Sequence, residues 1–120
     1  MVWIGIETAT GVTLAPSVRC ARSFLQRFVG LLAHRRLAQD QGMLLMPGGS
    51  IHTLGMRFPI DAVFLDAQFQ ILRIAARLHP HRVATAPRGT RFVLEVAAGR
   101  ADACSLQCGQ QLVLRPGVTP

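Results

Sequence analysis

The chain has no lysine and no tyrosine, and its 120 residues hold a single tryptophan and three cysteines. Each shortage removes a class of function. With one Trp and no Tyr, few flat rings are available on which unpaired bases could stack, which argues against a single-stranded nucleic-acid platform. Cys20, Cys104 and Cys108 form neither an even disulfide framework nor a CxxC pair, and they lack four-ligand zinc spacing. They are expected as reduced thiols, small core residues rather than ligands. No apolar run approaches the roughly 20 residues that span a bilayer. The N-terminal MVWIGIETATG has no basic start and an early Glu7, against a secretory signal, so a soluble cytoplasmic protein is expected. Repeats, low-complexity tracts and linkers are missing too. So are GxGxxG and the phosphate-loop pattern, which leaves no dinucleotide or phosphate cradle. Without GxSxG or a recognisable cysteine motif, nucleophilic catalysis fits poorly.

Half the residues are apolar and 16% are charged, enough core-forming material for one compact domain over residues 1–115 with a loose tail at 116–120. All 13 basic residues are arginine, against 6 acidic residues, for a net charge of +7. Arginine suits bidentate binding of carboxylate or phosphate. The arginines are dispersed from Arg19 to Arg115, with Arg35–Arg36 the one adjacent pair, so no basic arm tracks a phosphate backbone. A folded basic face keeps nucleic-acid binding as a further alternative.

The clearest helix signal is SFLQRFVGLLAHR at 23–35. Ser23 and Gln26 have capping-box spacing, and Phe24, Leu25, Phe28, Val29, Leu31 and Leu32 fill one arc of a helix. Gly30 on the outer side costs about 1 kcal/mol relative to alanine, which invites close approach of a backbone or ligand, with Arg27 and His34 flanking the notch. A tolerated surface glycine is the bland alternative. From Gly42 onward short apolar runs alternate with turns: GMLLMPGG, a hairpin of IDAVFLD and QFQILRIAARL turning near Asp66 to Gln68, TRFVLEVAAG, and a last strand QQLVL, with a short helix over Arg100 to Gln107. An earlier short strand is expected around Gly11 to Ala15. Strands joined directly by turns predict an α+β fold dominated by an antiparallel sheet or small barrel, with one main helix packed against it and a short second helix.

The chemistry-bearing residues gather in SIHTLGMRFPID, Ser50 to Asp61. Glu95 interrupts the apolar run RFVLEVAA, and if both faces of that strand are covered it needs a cationic or hydrogen-bonding partner. Arg57, His52 and Arg91 are candidates. Asp61 and Glu95 together are the candidates for an acid and base pair, as two carboxylates in one site can split their pKa values. A structural ion pair competes with that reading. Met43, Met46, His52 and Met56 offer soft ligands suited to Cu(I), although methionines in apolar runs are more often core filler. No metal or cofactor is assigned.

The order of motifs resembles a known family, domain of unknown function 192. The residues that carry the likeness are RFVGLL at Arg27 to Leu32, GMLLMP at Gly42 to Pro47, IHTLGMRFPIDAVFLD at Ile51 to Asp66 and VLEVAAG at Val93 to Gly99, followed by a terminal segment containing Gly109. The likeness spans roughly residues 8 to 115. It implies a compact β-rich domain with a helix against the sheet, sometimes exported, and without an assigned reaction. Relatives carry a pattern like FWMKNT where this chain has IHTLGMRFP, while Met56, Asp61, Glu95 and Gly99 fit. The leading expectation is a non-enzymatic module for a peptide or small acidic ligand, with His52, Arg57, Asp61, Glu95, Arg27 and Gly30 as binding residues. A hydrolase using Asp61 and Glu95 is the alternative.

Overall fold

The computed structural model describes residues 3–22, 38–54 and 56–119. β1 (Ile4–Thr8) and β2 (Thr13–Ala21) form a hairpin whose turn is closed by the Gly11 amide donating to Thr8 O, with Gly11 at φ 92°. The Thr8 hydroxyl, buried under the turn, accepts from the Val12 amide. Pro16 lies where the β1/β2 register slips between Ile6↔Ala15 and Ile4↔Val18, the kind of irregularity that accommodates a residue without an amide hydrogen. β3 (Gln41–Leu45), β5 (Ile60–Leu65), β6 (Ile71–Leu78), β8 (Phe92–Ala97) and β9 (Leu112–Pro116) complete a seven-stranded sheet in the order β6-β5-β8-β3-β2-β1-β9. β4 (Ile51–His52) and β7 (Val83–Ala84) pair separately as a small ribbon.

Two expectations need correction. The sheet is mixed rather than antiparallel, because β2 and β3 run parallel from Ser17↔Gln41 to Ala21↔Leu45. A parallel pair cannot be joined by a tight turn, and β2 and β3 are well separated in sequence, β2 ending at Ala21 and β3 starting at Gln41. Nor do the described residues form a main helix packed on a sheet with a short second one. About half of them are in strands and 4% in helix, the one helix being α1 (Arg100–Ala103). α1 ends early because Ser105 sits at φ 55°, where a helix cannot continue. The helix expected at 23–35 lies outside the described residues, as do Arg27 and Gly30.

Both faces of the sheet have other covers. One face packs Leu44, Val63, Leu94 and Val96 against Ala101, Cys104 and Leu106, from α1 and the turn after it. The other packs Met43, Ala62, Phe64 and Val93 against Ile51, Met56, Phe58 and Ala84, from the β4/β7 ribbon and the loop into β5. All six residues of β5 are therefore buried, which explains the unbroken apolar run. The sheet curls until its edge strands meet at one end. Gln70 and Gln111 form a bridge, flanked by Ile71 N donating to Gln110 O and Leu112 N donating to Phe69 O. It is a curled half-barrel. Gly117 and Val118, within the segment expected as a tail, donate to Trp3 O and Pro16 O.

Candidate functional site

Asp61 is fully buried near the start of β5. Its Oδ1 accepts from the Arg77 amide at 2.8 Å and its Oδ2 from the Ala101 amide at 2.8 Å. The first bond follows from a bulge: between Ile60↔Leu78 and Ala62↔Ala75, β6 spends two residues, Ala76 and Arg77, opposite Asp61. Arg77 takes φ 52° there, and its guanidinium lies over Gly99 and reaches Asp102 at 3.5 Å. The second bond fixes the first turn of α1. Asp61 thus joins β5, β6 and α1, and both of its oxygens are committed to the backbone.

Glu95 is also at 0% exposure, but on the other face. β5 and β8 register Asp61 with Val96 and Ala62 with Glu95, and directly opposed residues share a face. The two carboxylates point to opposite sides of the sheet and cannot bracket one substrate. Of the four soft ligands, Met46 is separated from the other three. Met43 and Met56 are buried in the cluster on the Glu95 face, whereas Met46 packs against the cluster on the Asp61 face. Among the described residues no group of three His, Cys, Asp or Glu can hold a metal ion.

His52 and Arg57 belong to the cover over the Glu95 face. The segment is pinned by Thr53, a buried residue that sequence reasoning passed over. Its hydroxyl donates to His79 O at 2.7 Å and accepts from the Arg82 amide at 2.9 Å, and its own amide donates to Arg82 O. Ser50 Oγ accepts from the Ala86 amide at 2.9 Å. His52, half-buried, uses Nδ1 to accept from the Leu54 amide, and Arg57 points to solvent. Of the expected set, His52, Arg57 and Glu95 lie on one side of the sheet, Asp61 on the other.

A cleft of about 310 Å³ opens elsewhere, where β2 and β3 end and β8 begins. Met46, Pro47 and Phe92 form its apolar surface, and Arg22 and Arg91, both exposed, supply the charge. Its floor is held in several ways. The Met46 amide donates to Ala21 O, the Gly48 amide to Arg91 O at 2.7 Å, and the Arg91 amide to Leu65 O at 2.8 Å. Phe92 packs on Phe69 with ring centroids 4.7 Å apart. Gly48 lies so close to β8 that a Cβ there would sit 2.5 Å from the Phe92 carbonyl carbon. Sequence reasoning considered Arg91 as a partner for Glu95 and gave Arg22 no role. Nothing local marks two arginines 69 positions apart as neighbours.

Some of the acidic residues pair with arginines and others serve the backbone. Asp61 and Glu95 are buried, and Asp66 Oδ1 accepts the amides of Gln68 and Gln70 in the β5/β6 turn. Glu7 pairs with Arg115 at 2.8 Å and Asp102 with Arg77. No described helix is long and apolar enough to cross a membrane.

The profile of the family DUF192, described as "Uncharacterized ACR", matches residues 5–114. A UPF0127 protein of Pyrococcus furiosus is 27% identical over 112 residues, covering 89% of this chain and 94% of its own length. A crystal structure from Sinorhizobium meliloti, described as a candidate transcription regulator, is 25% identical, with a TM-score of 0.79 and coverage of 94% of this chain and 95% of that one. A protein of unknown function from Novosphingobium aromaticivorans shares the fold at 20% identity, with a TM-score of 0.78 and coverage of 92% and 83%.

Proposed function

This chain belongs to the DUF192 family, a membership that brings no reaction with it, and we propose that it serves as a binding module for a peptide or small acidic ligand. The observation that carries this reading is the cleft at the ends of β2 and β3, whose lining among the described residues is two arginines and three apolar residues. A guanidinium at an apolar cleft holds a carboxylate through paired, charge-assisted hydrogen bonds. The net charge of +7 draws anions toward the surface as a whole. The hydrolase alternative is not retained, because Asp61 and Glu95 face opposite sides of the sheet.

A thermal-shift screen of acidic peptides and small carboxylates tests the reading. A ligand that raises the melting temperature of the wild type by several degrees, and not that of Arg91→Ala, supports it. Arg57→Ala should keep the response, since Arg57 lies on the β4/β7 cover rather than in the cleft. A screen in which no acidic ligand stabilises the protein sinks it. Nucleic-acid binding is the second reading, favoured by the description of the Sinorhizobium meliloti relative. It predicts a DNA or RNA affinity that falls steeply with salt, and no shift at low salt rejects it.

A further inference from the structure

We infer that the Arg22/Arg91 cleft takes one carboxylate carried on one apolar group, as at the C-terminal residue of a peptide or on a small apolar acid; this rests on the binding reading above and narrows it. Size comes first. At about 310 Å³ the cleft stands at the low end of the roughly 300–1,000 Å³ typical of small-molecule sites. It suits a single side chain with its charged end, not an extended acidic segment.

Chemistry narrows the choice further. Among the described lining residues, Met46, Pro47 and Phe92 offer no hydrogen bonds from their side chains, which favours a ligand with an apolar body. Phosphate sites commonly gather several free backbone amides or a helix N-terminus. Here the amides of Met46, Gly48 and Arg91 all donate to main-chain carbonyls, and Pro47 has none to give. Anion recognition therefore falls to the guanidinium groups, whose planar donor pairs match the two oxygens of a carboxylate.

Geometry also argues for a site formed before the ligand arrives. Gly48 packed on the Phe92 backbone, Phe92 packed on Phe69, and the Arg91 amide tied to Leu65 fix the apolar floor. The exposed Arg91 side chain has to order on binding, at the entropic cost of one flexible group.

The test is calorimetric titration of the full chain with three probes. They are the peptide acetyl-Ala-Ala-Ala-Leu with a free C-terminal carboxylate, the same peptide ending in an amide, and isovalerate. The acid peptide should bind, with the amide weaker by about tenfold or more, the usual loss when a charge-assisted bond is removed. Arg91→Gln should weaken the acid peptide by a similar factor and leave its own melting temperature unchanged, because the Arg91 side chain is exposed. Isovalerate displacing the peptide would point to the small apolar acid as a sufficient ligand. Peptide binding without isovalerate binding would point to the chain terminus. Equal affinity for acid and amide overturns the inference. If an amidated peptide with an internal glutamate then binds in an Arg91-dependent way, the broader acidic-ligand reading stands without it. If none of these probes binds, both fall.

Discussion

Asp61 and Glu95 occupy adjacent strands with their side chains on opposite faces, Asp61 registered against Val96 and Glu95 against Ala62. Both are fully buried. A pair that reads in sequence as an acid and base is divided by the alternation of the strand itself. For Asp61 the alternative duty is explicit, since its two oxygens join a bulge in β6 to the start of α1.

Removing that carboxylate strands the buried Ala101 amide and the partly buried Arg77 amide. Asp61→Ala should cost about 3 kcal/mol or more, given roughly 1–3 kcal/mol for each buried polar group left unsatisfied. Asp61→Asn keeps one acceptor and turns an NH2 toward the other amide, so a loss of about 1–3 kcal/mol is expected. Urea denaturation reads both as a lower midpoint at unchanged slope. Wild-type stability in either variant would contradict the assignment.

Thr53 makes a more local prediction. Thr53→Val preserves shape but deletes the bonds to His79 O and the Arg82 amide. A destabilisation of about 1–3 kcal/mol should follow. Hydrogen exchange should quicken first at Arg82 and His81, whose amides donate to Thr53. Uniform acceleration across the seven-stranded sheet would mean that Thr53 supports the whole fold rather than the ribbon.

Neighbouring glycines should respond in opposite ways. A Cβ on Gly48 would meet the Phe92 carbonyl carbon at 2.5 Å, whereas one on Gly49 meets nothing within 4 Å. Gly48→Ala should cost about 1–3 kcal/mol through forced backbone movement, and Gly49→Ala should stay within about 0.5 kcal/mol. Thermal melts of the two variants side by side suffice to check the contrast.

The thiols should separate by reactivity. Burial pushes the Cys20 thiol above its ordinary pKa, and the Arg22 guanidinium partly opposes the rise. Because the thiolate is the reactive form, mild alkylation near pH 8 should modify exposed Cys108 before Cys20, and buried Cys104 last. Arg22→Gln removes the opposing charge and should slow Cys20 further. The linkage has a definite sign: the fold holds this proton more tightly than the unfolded chain does. Its contribution to stability is full below the unfolded thiol pKa and is lost as pH rises through the folded value. Faster labelling of Cys20 in the Arg22→Gln variant would reverse the argument.

Local features of the fold were the legible ones. The β5/β6 hairpin announced itself through two apolar runs around a polar turn, and Asp66 closes that turn with its own side chain. β3 stopped where Pro47 and two glycines follow it. Distant relations were not legible. β1 lay unread in the apolar start because its partners, β2 and β9, include one more than 100 residues away, and the parallel register of β2 with β3 leaves no mark in either strand. Asp61 looked like chemistry because its acceptor role is satisfied by backbone amides 16 and 40 residues away, which no side-chain pattern reveals. The same limit hid the Arg22/Arg91 cleft.

The bridge between Gln70 and Gln111 also governs how copies of this protein can misassociate. An open sheet exposes two long edges, each a template for pairing with another chain. Here the edges shield each other at the bridged end, reinforced by Gln70 Nε2 donating to Gly109 O and Gln111 Nε2 to Gln68 O. What remains of β6 is broken by two register shifts and carries Arg73 and Arg77, while β9 ends in Pro116. Disruption of the glutamine bridge should therefore betray itself as concentration-dependent aggregation before any loss of the core.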